Sequence, residues 1–280
     1  MHSCYTGTYD KISPSTPGET IQPAVNKTLL LHAFCSPDGH MRAAGNPCTV
    51  RIHEAMAASP ARGSTSTSCA TWQTAKREAV VRCWTADAKP IQCCGHGLLC
   101  CASVWLDIWG GAGSLLMGDS AIECSRRGDI IWLGFAPVPL EEITTPDWLA
   151  EEFHIRATTC SSTIDTAGYL VAELPADSDL SQVDPPGTEL AAHTARALLV
   201  TCPVNPGACS REESFHYRYF APQYGVPEDP ATGSAMRVLT QYWNGRGLTG
   251  TVQARQCSTE GGLLWGEAAN DRIRVGGHVA

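Results

Sequence analysis

Charge is scarce in this 280-residue chain: 17% of its residues are Asp, Glu, Lys or Arg, against roughly 25% in an average soluble domain. Set beside 43% apolar residues, that scarcity excludes a disordered, solvated chain, which needs the opposite balance. Basic runs are missing too. Twenty Lys and Arg against 28 Asp and Glu leave a formal charge of −8, so no electrostatic footprint for nucleic acid exists. No stretch approaches the ~18 uninterrupted apolar residues of a membrane span. The polar, proline-bearing start MHSCYTGTYDKISPSTPGETIQPAVNK lacks the charged head and apolar run of a secretory signal. The cytosol is therefore the expected compartment, and there thiols stay reduced. CxxC pairs are absent, and the adjacent pairs Cys93-Cys94 and Cys100-Cys101 do not have zinc-ligand spacing. No metal centre is expected.

Cysteine itself is plentiful. Most of the 14 are expected to be small buried hydrophobes. The length allows one large domain or two small ones, with ample surface to bury. Residues 1–28 read as a flexible extension, and the fold begins near Leu29.

Two segments look alike, CCGHGLLCCASVWLDIWGG (93–111) and EDPATGSAMRVLTQYWNG (228–245). Each opens on a Gly-containing turn, runs about three turns with almost no charge, and stops at a glycine, Gly110 or Gly245. Asp107 and Arg237 are the only charges in the two helix bodies. A helix apolar on all sides is a buried helix, and glycine stops fit positive-φ C-terminal caps. The expected helices, 95–109 and 231–243, lie about half a chain apart. Around them AVVRCW, IIWLGF, YLVAEL, ALLVTC, FHYRYF and RIRVGGHVA read as strands, with alternation in FHYRYF predicting one wet face. Shorter helices are expected around Pro146–Phe153 and Glu189–Ala195. LLWGE and RIRV read as a hairpin across Asn270-Asp271. The fold class is α+β: two sheet-rich halves, residues 29–135 and 136–280, each with one central helix.

The first turn of a helix exposes unpaired N–H groups and carries about half a positive charge. It binds an anion without Lys or Arg, which suits an acidic protein. If both buried helices aim their starts at one cleft, Cys94, Gly95 and His96 enter from one side and Asp229, Thr232, Gly233 and Ser234 from the other. Each has a plainer reading. His96 caps its helix as a satisfied histidine, or is catalytic. Asp229 with Pro230 behind it makes an ordinary N-cap, or an ionised base. Ser234 is a first-turn hydrogen-bond partner or a substrate contact. Cys94 is a buried small side chain, or a thiol whose pKa a helix start lowers.

GNPCTV (45–50), IQCCGHGLLCCA (91–102), YFAPQYGVPEDPATGSA (219–235) and the tail QCSTEGGLLWGEAANDRIRVGGHVA (256–280) resemble, in that order, the phenazine-biosynthesis isomerase-like (PhzF-like) family. The resemblance covers about residues 29–280. It implies the diaminopimelate-epimerase fold, with two pseudo-symmetric halves, each a mostly antiparallel barrel-like sheet around its helix and the cleft between them. It also implies no cofactor, a small carboxylate-bearing metabolite as partner, and a homodimer. The family's CGH histidine falls on His96, its EDPATGS aspartate on Asp229 and its serine on Ser234. Asn46, Gly97 and Thr232 stand in matching motifs. The family's acid/base glutamate, from N-x-S-E-T-A-F, falls in ARGSTSTSCATW (61–72), on Ser68 or Cys69, where no carboxylate stands.

The resemblance implies a proton-moving isomerase with Asp229 and His96 as the acid/base pair. Gly95, Gly233 and Ser234 would hold the anion. The missing glutamate motivates an alternative, a catalytically silent metabolite-binding relative. A third reading is a Cys94-dependent epimerase or dehydratase. Two-thiol racemisation is disfavoured because Pro230-Ala231 stand where the second thiol is expected.

Overall fold

The computed structural model describes residues 27–37, 43–55, 65–205, 212–269 and 271–280. Apart from Lys27 and Thr28, the expected N-terminal extension lies outside them. The chain runs β1 (Thr28–Ala33), β2 (Asn46–His53), β3 (Thr67–Ala75), β4 (Glu78–Trp84), β5 (Pro90–Ile91), α1 (Gly95–Trp109), β6 (Ala112–Met117), β7 (Ser120–Arg127), β8 (Ile130–Phe135) and β9 (Leu140–Ile143). After the short α2 (Asp147–Glu151) come β10 (Thr159–Thr163), β11 (Tyr169–Glu173), the short α3 (Leu190–His193), β12 (Ala197–Pro203), β13 (Glu213–Ala221) and β14 (Val226–Glu228). The chain ends with α4 (Gly233–Asn244), β15 (Thr251–Gln256), β16 (Gly262–Ala269) and β17 (Arg272–Gly277).

Both halves follow one wiring. β1 pairs antiparallel with β2, β2 parallel with β3, β3 antiparallel with β4, and β4 parallel with β6. β6, β7 and β8 then run antiparallel. The same succession of senses repeats from β10 through β11, β12, β13 and β15 to β16 and β17. Parallel neighbours need a crossover connection. α1 supplies it between β4 and β6, and α4 between β13 and β15. β8 and β17 pair antiparallel, so the two half-sheets form one open sheet. β9 pairs antiparallel with β10 within the second half, and the chain after β17 returns to β1 in the first half through an Ala33–Val279 bridge.

The helices are largely buried because their sequences are apolar on most sides, each keeping only a narrow part-exposed stripe, which in α4 runs Ser234, Arg237, Gln241 and Asn244. In α1, Leu98, Leu99, Cys100, Cys101 and Ala102 have no measurable exposure. Trp105 stacks on Trp109 one turn later and donates its Nε1–H to Thr71 Oγ1 at 2.8 Å, which satisfies the polar handle that a buried indole carries. Asp107 stays exposed and pairs with Arg126. One apolar cluster contains both helices, so the halves share a core. A second, smaller cluster fills the outer face of β10–β13 around Leu149, Leu190 and Phe220. Among the described residues, no helix is long and apolar enough to cross a membrane.

Several sequence expectations shift. The second central helix starts at Gly233, not residue 231, so Thr232 is its N-cap and Asp229 stands outside it. Gly110 takes the expected left-handed cap at φ 72°. Gly245 does not: it has φ −63°, and its N–H closes on Gln241 O, the left-handed turn falling later at Gly247. Pro146 rather than a threonine caps α2. The wet face of FHYRYF fails at Arg218, which is 6% exposed. A bidentate pair with Glu228, both contacts 2.7 Å, and bonds to the Leu180 and Val183 carbonyls replace its water. Sequence alternation cannot register such a partner. Position 270 of the expected hairpin turn lies outside the described residues.

Candidate active site

The starts of α1 and α4 abut. A Cβ built on Gly95 would lie 2.9 Å from Gly233 Cα and 3.1 Å from the Ser234 amide nitrogen. One on Gly233 would meet the Gly95 backbone at 3.2 Å and the Phe34 ring at 3.0 Å. Only glycine at both positions lets two helix starts approach this closely. Their unpaired amides and positive dipole ends therefore serve one place, and Asp229 and His96 come to it from opposite halves.

Asp229 is held by its neighbours. Asn46 Nδ2 donates to its Oδ1 at 2.9 Å, and Thr232 Oγ1 donates to its Oδ2 at 2.5 Å. Asn46 Nδ2 also donates to Ala231 O at 2.9 Å, so the Asn46 amide hydrogens are engaged and it acts as a brace for Asp229. Gln256, wholly buried, fixes the turn. Its Oε1 accepts the Thr232 N–H at 2.7 Å, and its Nε2 donates to Asp229 O and to Thr232 Oγ1. Ser258 Oγ adds a bond to Pro230 O. Each Asp229 oxygen accepts one named donor, and the side chain is half-buried.

His96 lies beside the N-cap Cys94, whose sulfur is 3.7 Å from Nδ1 and 3.8 Å from Nε2. Burial pulls the imidazole below its ordinary pKa, and the nearby Asp229 charge opposes that. The ring is neutral near pH 7, able to accept or donate a proton. Cys94 departs from the low-pKa expectation for a thiol at a helix start. Complete burial pushes it well above the usual thiol range, with Cys48 and Asp229 adding to the push and the Gly97 amide opposing it. Desolvation outweighs the dipole here.

Of Ser68 and Cys69, the two positions on which the resemblance placed the family's glutamate, the second carries sulfur. Cys69 is joined to Cys83 across β3 and β4, the one described departure from separate thiols. The Cys69, Cys94 and Cys83 sulfurs all lie within 3.0 Å of where a Gly97 Cβ would stand, and the Cys48 thiol is 3.6 Å from the Cys69 sulfur. Gly97 makes room for these sulfurs. Side chains alternate across a strand, so Cys69 and Thr71 face α1 while Ser68, also buried, belongs to the opposite face of β3. The structure thus brings Asp229, Thr232, Gly233 and Ser234 together with Cys94, Gly95, His96 and Asn46, and points Ser68 away from α1.

Three residues escaped the sequence reading. Gln256 sat in a quoted motif without a role, and a glutamine beginning an apolar-flanked tail was the signal. Tyr169, close enough to Ser234 to feel its side chain, looked like the first residue of an ordinary strand. Phe34, with φ 64°, gave no local sign of packing against Gly233.

A sequence profile described as phenazine biosynthesis-like protein matches residues 142–278. An uncharacterized isomerase of Pseudomonas aeruginosa is 27% identical over 199 residues, covering 70% of this chain and 73% of its own length. Among solved structures, a phenazine biosynthesis protein of the PhzF family from Enterococcus faecalis superposes with TM-score 0.77 at 20% identity, over 90% of this chain and 95% of its own. A hydroxyproline epimerase from Agrobacterium vitis, solved with trans-4-hydroxy-L-proline, reaches TM-score 0.52 at 10% identity, over 90% and 89%.

Proposed function

Since the chain belongs to the phenazine-biosynthesis-like (PhzF-like) family of isomerases and epimerases, we propose that it moves a proton between carbons of a small carboxylate-bearing metabolite, without a cofactor. The observation that carries this reading is the contact of the two helix starts at Gly95 and Gly233, with Asp229 and His96 beside it. A substrate carboxylate binds to the amides of the first turns. The negative charge that develops when a neighbouring carbon loses its proton spreads onto that carboxylate, and the preorganised amides stabilise it at no further reorganisation cost.

Asp229 takes the proton from carbon. Its acceptor bonds from Asn46 and Thr232 aim it. His96 takes up that proton from Asp229, becoming imidazolium, and delivers it to the second carbon, so the product is an isomer and both groups return to their starting states. Ser234 and Thr232 orient the carboxylate.

A different reading, a silent binding relative, draws support from the absence of a carboxylate at Ser68 and Cys69, the second of which is bonded to Cys83. A Cys94-dependent reaction draws none, because the thiolate it needs is opposed by burial. The deciding experiment follows the exchange of carbon-bound hydrogen into D₂O by NMR, over a panel of small cyclic amino and hydroxy acids. Exchange by the wild-type protein that Asp229→Asn lowers 10²–10⁴-fold supports the isomerase. Binding without exchange establishes the silent relative instead.

A further inference from the structure

A cavity of about 470 Å³ opens beside the helix starts, and nothing in the reading above uses it. Its wall includes Cys93, the residue just before the α1 N-cap, and Arg237, on the second turn of α4. Leu98, Met117, Ile122 and Phe135 line the rest of its interior. The other charges on the wall are Asp271 and Arg272, which offset one another; Arg272 also reaches Glu123 at 3.1 Å.

Arg237 is the charge that the α4 sequence tolerates within an apolar body. It is fixed at its base: Nε donates to Ala136 O at 2.8 Å, and its guanidinium lies over the Phe135 ring, 5.6 Å from the centroid. Among the described residues no hydrogen bond engages its Nη1 or Nη2. Arg237 is within electrostatic reach of Tyr169 and Cys93. The cavity wall thus touches the approach to both helix starts, at Cys93, one residue before the α1 N-cap, and at Arg237, in the second turn of α4. Arg237 lies four residues beyond Gly233, about 6 Å along the axis, and helical side chains lean toward the N-terminus. One small ring spans that distance.

We propose that this cavity is a second subsite of the same pocket and that Arg237 binds a second anionic group, so the preferred ligand is a compact dicarboxylate with an apolar ring or chain between its ends. One carboxylate sits on the amides of the helix starts. The apolar middle lies over Leu98, Met117 and Ile122. The other carboxylate takes the fork of Nη1 and Nη2, the geometry in which guanidinium pairs are strongest. This inference rests on the proposed carboxylate site at the helix starts.

Calorimetric titration with benzoate and with isophthalate separates the two. Benzoate reports the helix starts alone, and the ratio of the two affinities reports Arg237. Isophthalate is expected to bind the wild-type protein at least about tenfold tighter, the equivalent of one net charge-assisted contact. Arg237→Met is expected to erase that ratio while benzoate affinity stays put, and Arg237→Lys to retain part of it. Equal affinities of the wild-type protein for the two ligands overturn the second subsite and leave the first standing. A ratio that survives Arg237→Met also overturns it. Failure of both ligands to bind at millimolar concentration removes the carboxylate site and the subsite together. The wild-type ratio needs no variant to fold.

Discussion

The two halves of the molecule share a wiring diagram and differ where their central helices meet. Both central helices begin with glycine against the other's backbone, and both follow a short extra strand, β5 or β14. The first start is lined with sulfur: Cys94, Cys69 and Cys83 crowd Gly97, Cys48 lies beside Cys69, and buried His96 lies beside Cys94. The second is laced with hydrogen bonds from Asn46, Thr232 and Gln256 that hold a carboxylate. The N-cap of α1 is Cys94, and its counterpart on α4 is Thr232, not Pro230-Ala231 as the sequence suggested. The N-cap of α4 thus carries a hydroxyl where that of α1 carries a thiol. Duplication supplies a symmetric cradle of amides; the divergence of the two starts supplies unlike groups, a neutral imidazole and a braced carboxylate. Proton transfer from one carbon to another needs that unlikeness.

The largest effect should come from making the two starts chemically alike. Asp229→Asn removes the base while keeping its size, at the loss of one of the two acceptor bonds, and turnover should fall by 10²–10⁴-fold with a much smaller loss of stability, about 1 kcal/mol. Closing the gap between the helices should come next. Gly95→Ala drives a methyl into backbone at 2.9 Å, which cannot yield as a side chain does, and should cost on the order of 1–3 kcal/mol in urea unfolding. Gly233→Ala should cost less, because its tightest neighbour is the Phe34 ring at 3.0 Å. Equal costs would show that the helix contact is looser than described.

Gln256→Ala tests the bracing specific to the second start. It strands the Thr232 N–H and the Asp229 carbonyl, and should cost about 1–3 kcal/mol together with part of the turnover. A smaller effect is expected from acid. The folded pKa of His96 is lowered by burial, so the unfolded chain takes up that proton first as pH falls. The contribution is complete above about 6.5, the unfolded value. It is lost progressively below that, down to the folded pKa, and His96→Gln should flatten this part of the stability–pH curve. Smallest of all, Cys94→Ala should leave turnover within the same order of magnitude. A complete loss there would make the sulfur-lined start the reactive one and reverse the comparison.

Much of this was legible in the residues. Fifteen- and twelve-residue helices with a single charge each can only be interior helices, and α1 runs over the expected residues 95–109. The β-branched runs AVVRCW, IIWLGF, ALLVTC and RIRVGG lie in β4, β8, β12 and β17. The polar run STSTSCATW hid β3, because serine and threonine are ambiguous between loop and strand until neighbours cover them. Arg218 defeated alternation because its partner Glu228 lies across a turn. Within the site, the identities of Asp229, His96 and the glycines were visible, but their partners were not.

What the sequence determined by itself is the inventory: two charge-poor helices with glycine starts, a carboxylate and an imidazole near them, and β-rich segments to enclose them. Those follow from local propensity and periodicity, which act over a few residues. Tertiary structure alone decided that Gly95 and Gly233 touch, that Asn46 and Gln256 grip Asp229 from distant strands, that burial raises Cys94 rather than lowering it, and that Cys69 finds Cys83. Each is a contact or a desolvation between residues remote in the chain, set by how the half-sheets join, and no window of sequence contains both partners.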